Sequence, residues 1–113
     1  MSQSNTAKPA PDPLTPAQVR QLRGLAHYLR PVVLLGNKGL TEQVSKETDA
    51  ALEHHELIKV RSSADGKQAR RAELQQLADN TASQLVQLIG RIGVLYRAAD
   101  EPVIRLKKSA RPD

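Results

Sequence analysis

Cysteine is absent from the 113 residues, and so are tryptophan and phenylalanine. Without thiols there is no disulfide, no thiolate metal centre and no cysteine nucleophile, and a reducing compartment suits the chain. Aromatic content is 2%, all of it Tyr28 and Tyr96. That scarcity speaks against a platform of several exposed rings on which successive bases stack. Long apolar runs are missing too: nowhere do 18 apolar residues follow one another, and Met1 to Pro13 lacks the apolar stretch of a secretory leader. The expectation is a soluble cytoplasmic protein with no membrane attachment. Acidic residues are absent from one particular stretch, Leu14 to Leu40, which carries Arg20, Arg23, Arg30 and Lys38.

The charge that is present is segregated. Net charge is +5, but residues 41 to 57 hold one lysine against five acids, and residues 58 to 71 hold five basic residues against Asp65. Such a pattern fits one basic face and one solvated acidic helix better than a uniform polycation. The length suits a single domain with tails.

Residues 1 to 13 include Pro9, Pro11 and Pro13 among small and polar residues, a composition that reads as a disordered lead. Thr15-Pro16-Ala17-Gln18 then combines an N-cap threonine, a proline at the first helical position and a glutamine that completes a capping box. A helix is predicted from Pro16, with Val19, Leu22, Ala26 and Leu29 as its buried stripe, Arg20 and Arg23 on accessible positions, and Pro31 as its stop. Val32 to Leu35 is apolar at every position and predicts an inner strand. A second helix is expected over about Thr41 to His55. Leu57-Ile58-Lys59-Val60-Arg61 alternates as a second strand of a βαβ unit, with Lys59 and Arg61 on one side. A third helix carries Leu74, Leu77, Ala78 and Thr81 on one stripe, with Arg70 and Arg71 exposed at its start. A hairpin follows from Leu85 to Arg97, turning through Gly90-Arg91-Ile92-Gly93. In the charged tail from Ala98, a short edge strand is expected at Val103 to Leu106.

Between the first strand and the second helix stands Gly36-Asn37-Lys38-Gly39. Two glycines let a ligand's backbone approach closely, while the N–H groups and positive dipole end of the following helix would face an anion. Phosphate is the expected guest, held by Gly36, Asn37, Lys38 and Gly39, with Arg20, Arg23, Arg30, Lys59 and Arg61 neutralising the adjoining backbone. A lone GxxG also occurs in ordinary turns, so its weight comes from the acid-free basic context.

Leu22-Arg23-Gly24-Leu25-Ala26-His27, Val33 through Thr41, Ala51 through Val60, and Gln87-Leu88-Ile89-Gly90-Arg91 followed by Leu95-Tyr96-Arg97 together resemble the CRM domain. This is the chloroplast RNA splicing and ribosome maturation domain, here in its stand-alone bacterial form, YhbY. The resemblance covers roughly Leu14 to Arg97. It implies an α/β (α+β sandwich) fold with the order α-β-α-β-α-β-β and a mixed four-stranded sheet, similar to the C-terminal domain of translation initiation factor three. It further implies RNA as the partner, specifically precursors of the large ribosomal subunit, and places the family's GxxG loop on Gly36 to Gly39. Gly93 departs from the family, which usually has an apolar residue there. The domain is thereby drawn at 14–98, between a 1–13 lead and a 99–113 charged tail.

His27, His54 and His55 lack the spacing of a zinc site, since adjacent histidines point to different faces of a helix. No orienting partner or nucleophile accompanies them, so neither catalysis, metal nor cofactor is expected. Glu53 and Glu56 read as solvated surface, and Tyr96 as core. The resulting expectation is a monomeric, non-catalytic protein that binds structured ribosomal RNA. The alternative is a protein-interaction adaptor that docks a basic ribosomal protein or assembly factor through Glu42, Asp49 and Glu53. Duplex DNA binding lacks an evident recognition helix.

Overall fold

The computed structural model describes residues 12–107. Elements follow in the order α1 (Pro16–Ala26), β1 (Pro31–Leu34), α2 (Glu42–His55), β2 (Leu57–Arg61), α3 (Lys67–Asn80), β3 (Gln84–Ile89) and β4 (Ile92–Tyr96). This is the expected α-β-α-β-α-β-β order. The disordered lead was expected over residues that, apart from Asp12 and Pro13, lie outside those described.

Local chemistry accounts for the element boundaries. The Thr15 hydroxyl accepts from Gln18 N–H at 3.1 Å while the Gln18 side chain accepts from Thr15 N–H at 3.0 Å, the reciprocal capping box that starts α1. The helix ends at Ala26, before Pro31 can stop it. Tyr28 and Leu29 turn back onto the Leu25 and Ala26 carbonyls, so Leu29 leaves the helical stripe and stands exposed. Thr41 caps α2 by accepting from Val44 N–H. The hairpin between β3 and β4 closes through Gly90-Arg91 alone, and Gly90 takes φ +58°, as the first residue of a two-residue hairpin turn can demand.

The sheet is four-stranded in the order β1-β2-β4-β3. β1 and β2 are parallel, joined through α2, and both remaining pairs are antiparallel. The expectation of an inner β1 is therefore wrong: β1 is an edge strand. Its uniform apolar composition has a different cause. Val33 enters the core, whereas Val32 and Leu34 face outward and are 54% and 63% exposed.

Two clusters lie on opposite sheet faces. One side packs Val33, Ile58, Val60 and Leu95 against Leu52 of α2 and Leu74, Leu77 and Ala78 of α3. The other packs Leu57, Val94 and Tyr96 against Leu22 and Ala26 of α1, with Ile104 and Leu106 of the tail alongside. Burial together with the nearby Glu56 carboxylate raises the Tyr96 hydroxyl above its ordinary pKa of 10.0.

Gly93 lies inside β4 rather than in the turn. A Cβ there would stand 2.5 Å from Leu74 Cδ1 and 3.2 Å from Leu85 Cδ1. The missing side chain thus lets the fully buried Leu74 of α3 settle directly on the strand, which explains the departure from an apolar residue at this position.

The tail forms no strand at Val103 to Leu106. Glu56 holds it instead, and the expectation that Glu56 is solvated surface is overturned. This residue is 3% exposed and ends α2 with φ +62°. Its carboxylate accepts from the N–H groups of Ala99, Val103 and Ile104 at 2.8, 3.0 and 2.8 Å. Three charge-assisted bonds satisfy a carboxylate that burial would otherwise destabilise. From α1, Gln21 brackets the tail by accepting from Lys107 N–H and donating to Arg105 C=O, both at 2.7 Å.

Candidate nucleic-acid interface

On the α1 side of the sheet, residues of β2 alternate Leu57, Lys59, Arg61, and their cross-strand partners form rows. The first row, Leu57 with Tyr96 and Gln84, lies under α1 and the tail. In the next, Pro31, Lys59, Val94 and Gln87 stand side by side; in the last, Leu34, Arg61, Ile92 and Ile89 do so. The helix α1 is 11 residues long, about 16 Å at 1.5 Å per residue, and leaves these rows partly uncovered.

The space so left is an open groove of about 790 Å³. Arg20 and Arg23 reach it from α1, Lys59 from β2, and Tyr28 from the turn after α1, while Ile89 and Ile92 contribute apolar surface. Among the described residues, no acidic side chain lines it. Lys59 and Arg61, two residues apart on one strand face, are separated by roughly 7 Å along the strand and carry the basic track from the groove toward the end of β1.

At that end lies the Gly36–Gly39 loop. Gly39 N–H donates to Gly36 C=O at 2.9 Å, closing a tight turn whose Asn37 and Lys38 side chains are exposed. The two glycines serve different needs. Gly39 has φ +68° and packs against α3 and its preceding loop, where a Cβ would meet Glu73 Oε2 at 3.2 Å. Gly36 has nothing within 4 Å of a Cβ position and an ordinary φ. The fold needs glycine at 39; at 36 the bare backbone faces open space.

The helix behind the loop contributes less than anticipated. Thr41 already occupies Val44 N–H, and Glu42 stands in the first turn of α2, where its negative charge offsets the positive dipole end. Lys38 and the loop backbone are left as the principal anion-facing groups.

Of the basic residues anticipated, Arg20, Arg23, Lys59 and Arg61 share the α1 side with the groove. Arg30 is exposed just ahead of β1 and does not line the groove. Arg70 is half-buried rather than exposed, its Nε donating to Ala64 C=O at 3.0 Å. Arg91 donates to the same carbonyl and pairs with Asp65 at 3.1 Å. Glu73 accepts from Ser62 Oγ, Ser63 N–H and Ser63 Oγ at 2.6, 3.0 and 3.0 Å, stiffening the loop on which Gly39 rests. Sequence periodicity could not reveal Glu73, because its partners precede its helix.

The acidic helix is partly committed to the fold. Arg97 donates to Asp49 Oδ1 at 2.6 Å and to Thr81 C=O at 2.8 Å, and approaches Glu53 Oε1 at 3.5 Å. Two of the three carboxylates that an adaptor surface would present are thus engaged within the molecule. Among the described residues, no group of three or more histidine or acidic side chains could hold a metal ion, and no helix is long and apolar enough to cross a membrane.

The class defined by fold and site is a small α+β domain, closed by two helices on one sheet face and basic and half open on the other. The chain belongs to the CRS1/YhbY (CRM) domain family, whose model matches residues 14–97. It is 43% identical over 95 residues to an RNA-binding protein of Haemophilus influenzae, covering 84% of this chain and 96% of the relative. A protein of Pseudomonas aeruginosa named as a probable RNA-binding protein is 39% identical over 98 residues, covering 87% and 94%. The fold is similar to the solution structure of a hypothetical Staphylococcus aureus protein described as an RNA-binding candidate. There the TM-score is 0.74 and the identity 37%, over 83% of this chain and 99% of the other.

Proposed function

We propose that this protein is a non-catalytic RNA-binding module that grips structured ribosomal RNA and serves assembly of the large ribosomal subunit, acting as a cytoplasmic monomer. The observation that carries the reading is that Arg20, Arg23 and Lys59 line a groove with no acid among its described lining residues, with Arg61 on the same sheet face and the exposed Lys38 loop following β1. Cations so grouped neutralise successive phosphates and release their counterions, giving affinity with little dependence on base identity. Gly36 admits a backbone to close range, and Lys38 supplies a charge-assisted bond. The names borne by the bacterial relatives support RNA as the partner, and the resemblance to the YhbY form supplies the ribosomal context.

The test replaces Asn37 and Lys38 by aspartate together, keeping both glycines. Binding to ribosomal RNA should weaken at least about 100-fold at moderate salt, since each lost or reversed charged hydrogen bond is worth roughly 1.5 to 3 kcal/mol. Melting should stay near wild type, because exposed loop substitutions usually shift stability by less than about 0.5 kcal/mol. Undiminished binding would reduce the loop to a turn. Crosslinking in cells with sequencing of the attached RNA should recover large-subunit ribosomal RNA; its absence would defeat the ribosomal assignment.

A further inference from the structure

Phosphate neutralisation explains the cations of the groove but not its apolar floor or the ring at its mouth. Tyr28 is 84% exposed and stands edge-on to His27, with ring centroids 5.1 Å apart. Ile89, which also lines the groove, is 65% exposed although it belongs to a sheet strand. Solvent-facing residues of this size on one concave surface mark a binding site when they lie together. Gly24 of α1 also lines the groove, and nothing lies within 4 Å of where its Cβ would be, so a ligand can lie close against the helix.

We infer that this groove receives the base of one unpaired RNA nucleotide, stacked against Tyr28 over the Ile89 and Ile92 floor, while Arg20, Arg23 and Lys59 hold the phosphates on either side. The inference rests on the RNA-binding reading above and adds a preference within it, for RNA carrying an unpaired residue over a continuous duplex. A flat apolar ring system flanked by anions matches an apolar floor with a cationic rim and no acid. One ring can serve one base, which reconciles the site with an aromatic content too low for a stacking platform.

The full chain can be titrated with two fluorescent RNA hairpins, identical except that one carries a single bulged adenosine. The wild type should bind the bulged hairpin about tenfold more tightly, in keeping with the free energy of stacking one base on an aromatic side chain. Tyr28→Ala should bring the two affinities within about twofold by weakening only the bulged one. Ile89→Ser, a second exposed position changed without adding charge, should do the same. Millimolar adenosine monophosphate should not compete, because it lacks the neighbouring phosphates and the loop contacts. Equal wild-type affinities, a preference that survives Tyr28→Ala, a loss that falls equally on both hairpins, or displacement by the free nucleotide would each overturn the inference. In the first three of these the protein still binds RNA and the broader reading stands. Failure of the wild type to bind either hairpin would remove both.

Discussion

The two faces of the sheet are finished to different degrees. Against one, α2 and α3 bury a continuous core that includes Leu52, Leu74, Leu77 and Leu95, each at most 1% exposed. Against the other, short α1 and the returning tail cover only the Leu57–Tyr96 end, and Leu34, Arg61 and Ile89 remain in contact with solvent. Stability is concentrated on the first face, so the second can expose cations and apolar side chains that a core would exclude. The signs of charge divide similarly, with acids on α2 and the bases Arg20, Arg23 and Lys59 around the groove. A sheet closed on both faces would have no room for a ligand; one open along a whole face would have lost a core cluster.

The largest break in this comparison is expected at Glu56, which attaches the cover of the second face. Glu56→Ala removes three charge-assisted bonds and should cost about 3 kcal/mol or more, read as a lowered urea midpoint. Amide exchange at Val103 and Ile104 should accelerate sharply, whereas amides of α3 should keep most of their protection relative to global opening. Gly93→Ala attacks the first face. Its methyl group would overlap Leu74, and overpacking of this kind costs roughly 1 to 3 kcal/mol, measurable by thermal unfolding.

The loop glycines allow a finer cut. Gly39→Ala forces a Cβ into a left-handed φ beside Glu73 and should lower stability by about 1 kcal/mol. Gly36→Ala should leave melting unchanged and weaken RNA binding by obstructing the approach of backbone; equal effects on melting would merge the two roles assigned here. The smallest effect is a gain. Thr48, wholly buried on the core side of α2, has a hydroxyl with no partner among the described residues. Thr48→Val should raise stability by about 1 kcal/mol, since it removes an unsatisfied polar atom at nearly constant shape.

Much of this arrangement was legible in the residues. The capping box of α1, the alternation of β2, the stripe of α3 and the glycine loop are local patterns, set by neighbours within one or two turns. The βαβ pairing of β1 with β2 and the hairpin of β3 with β4 were legible as well, whereas the antiparallel pairing of β2 with β4 was not. What escaped depended on distant partners. A run such as Val32 to Leu35 looks the same whether both faces are buried or one borders an open groove, so β1 was expected inside the sheet and lies at its edge. Glu56 belongs by composition to the acidic helix, but its three partners stand 43 to 48 residues further on. The basic residues were identifiable as a set, yet only the folded structure shows that Lys59 and Arg61 stand on the sheet face of Arg20 and Arg23, that Arg70 is spent on Ala64, and that Arg91 is spent on Ala64 and Asp65. The exposure of Tyr28 has no local signature, because it follows from the early end of α1.

The difference between the faces is tested most directly by the salt dependence of RNA affinity in paired variants. Lys59→Gln with Arg61→Gln removes two charges from the open face, and Glu47→Gln with Glu42→Gln removes two from the acidic helix. A log-log plot of affinity against salt should lose about 0.7 of slope for each phosphate contact abolished on single-stranded RNA. The basic pair should therefore flatten the slope by roughly 1.4 and weaken binding throughout, with melting unchanged, while the acidic pair leaves the slope as it was. If Lys59→Gln with Arg61→Gln retains the wild-type slope and affinity, the open half of the sheet does not face the RNA and the central claim is wrong.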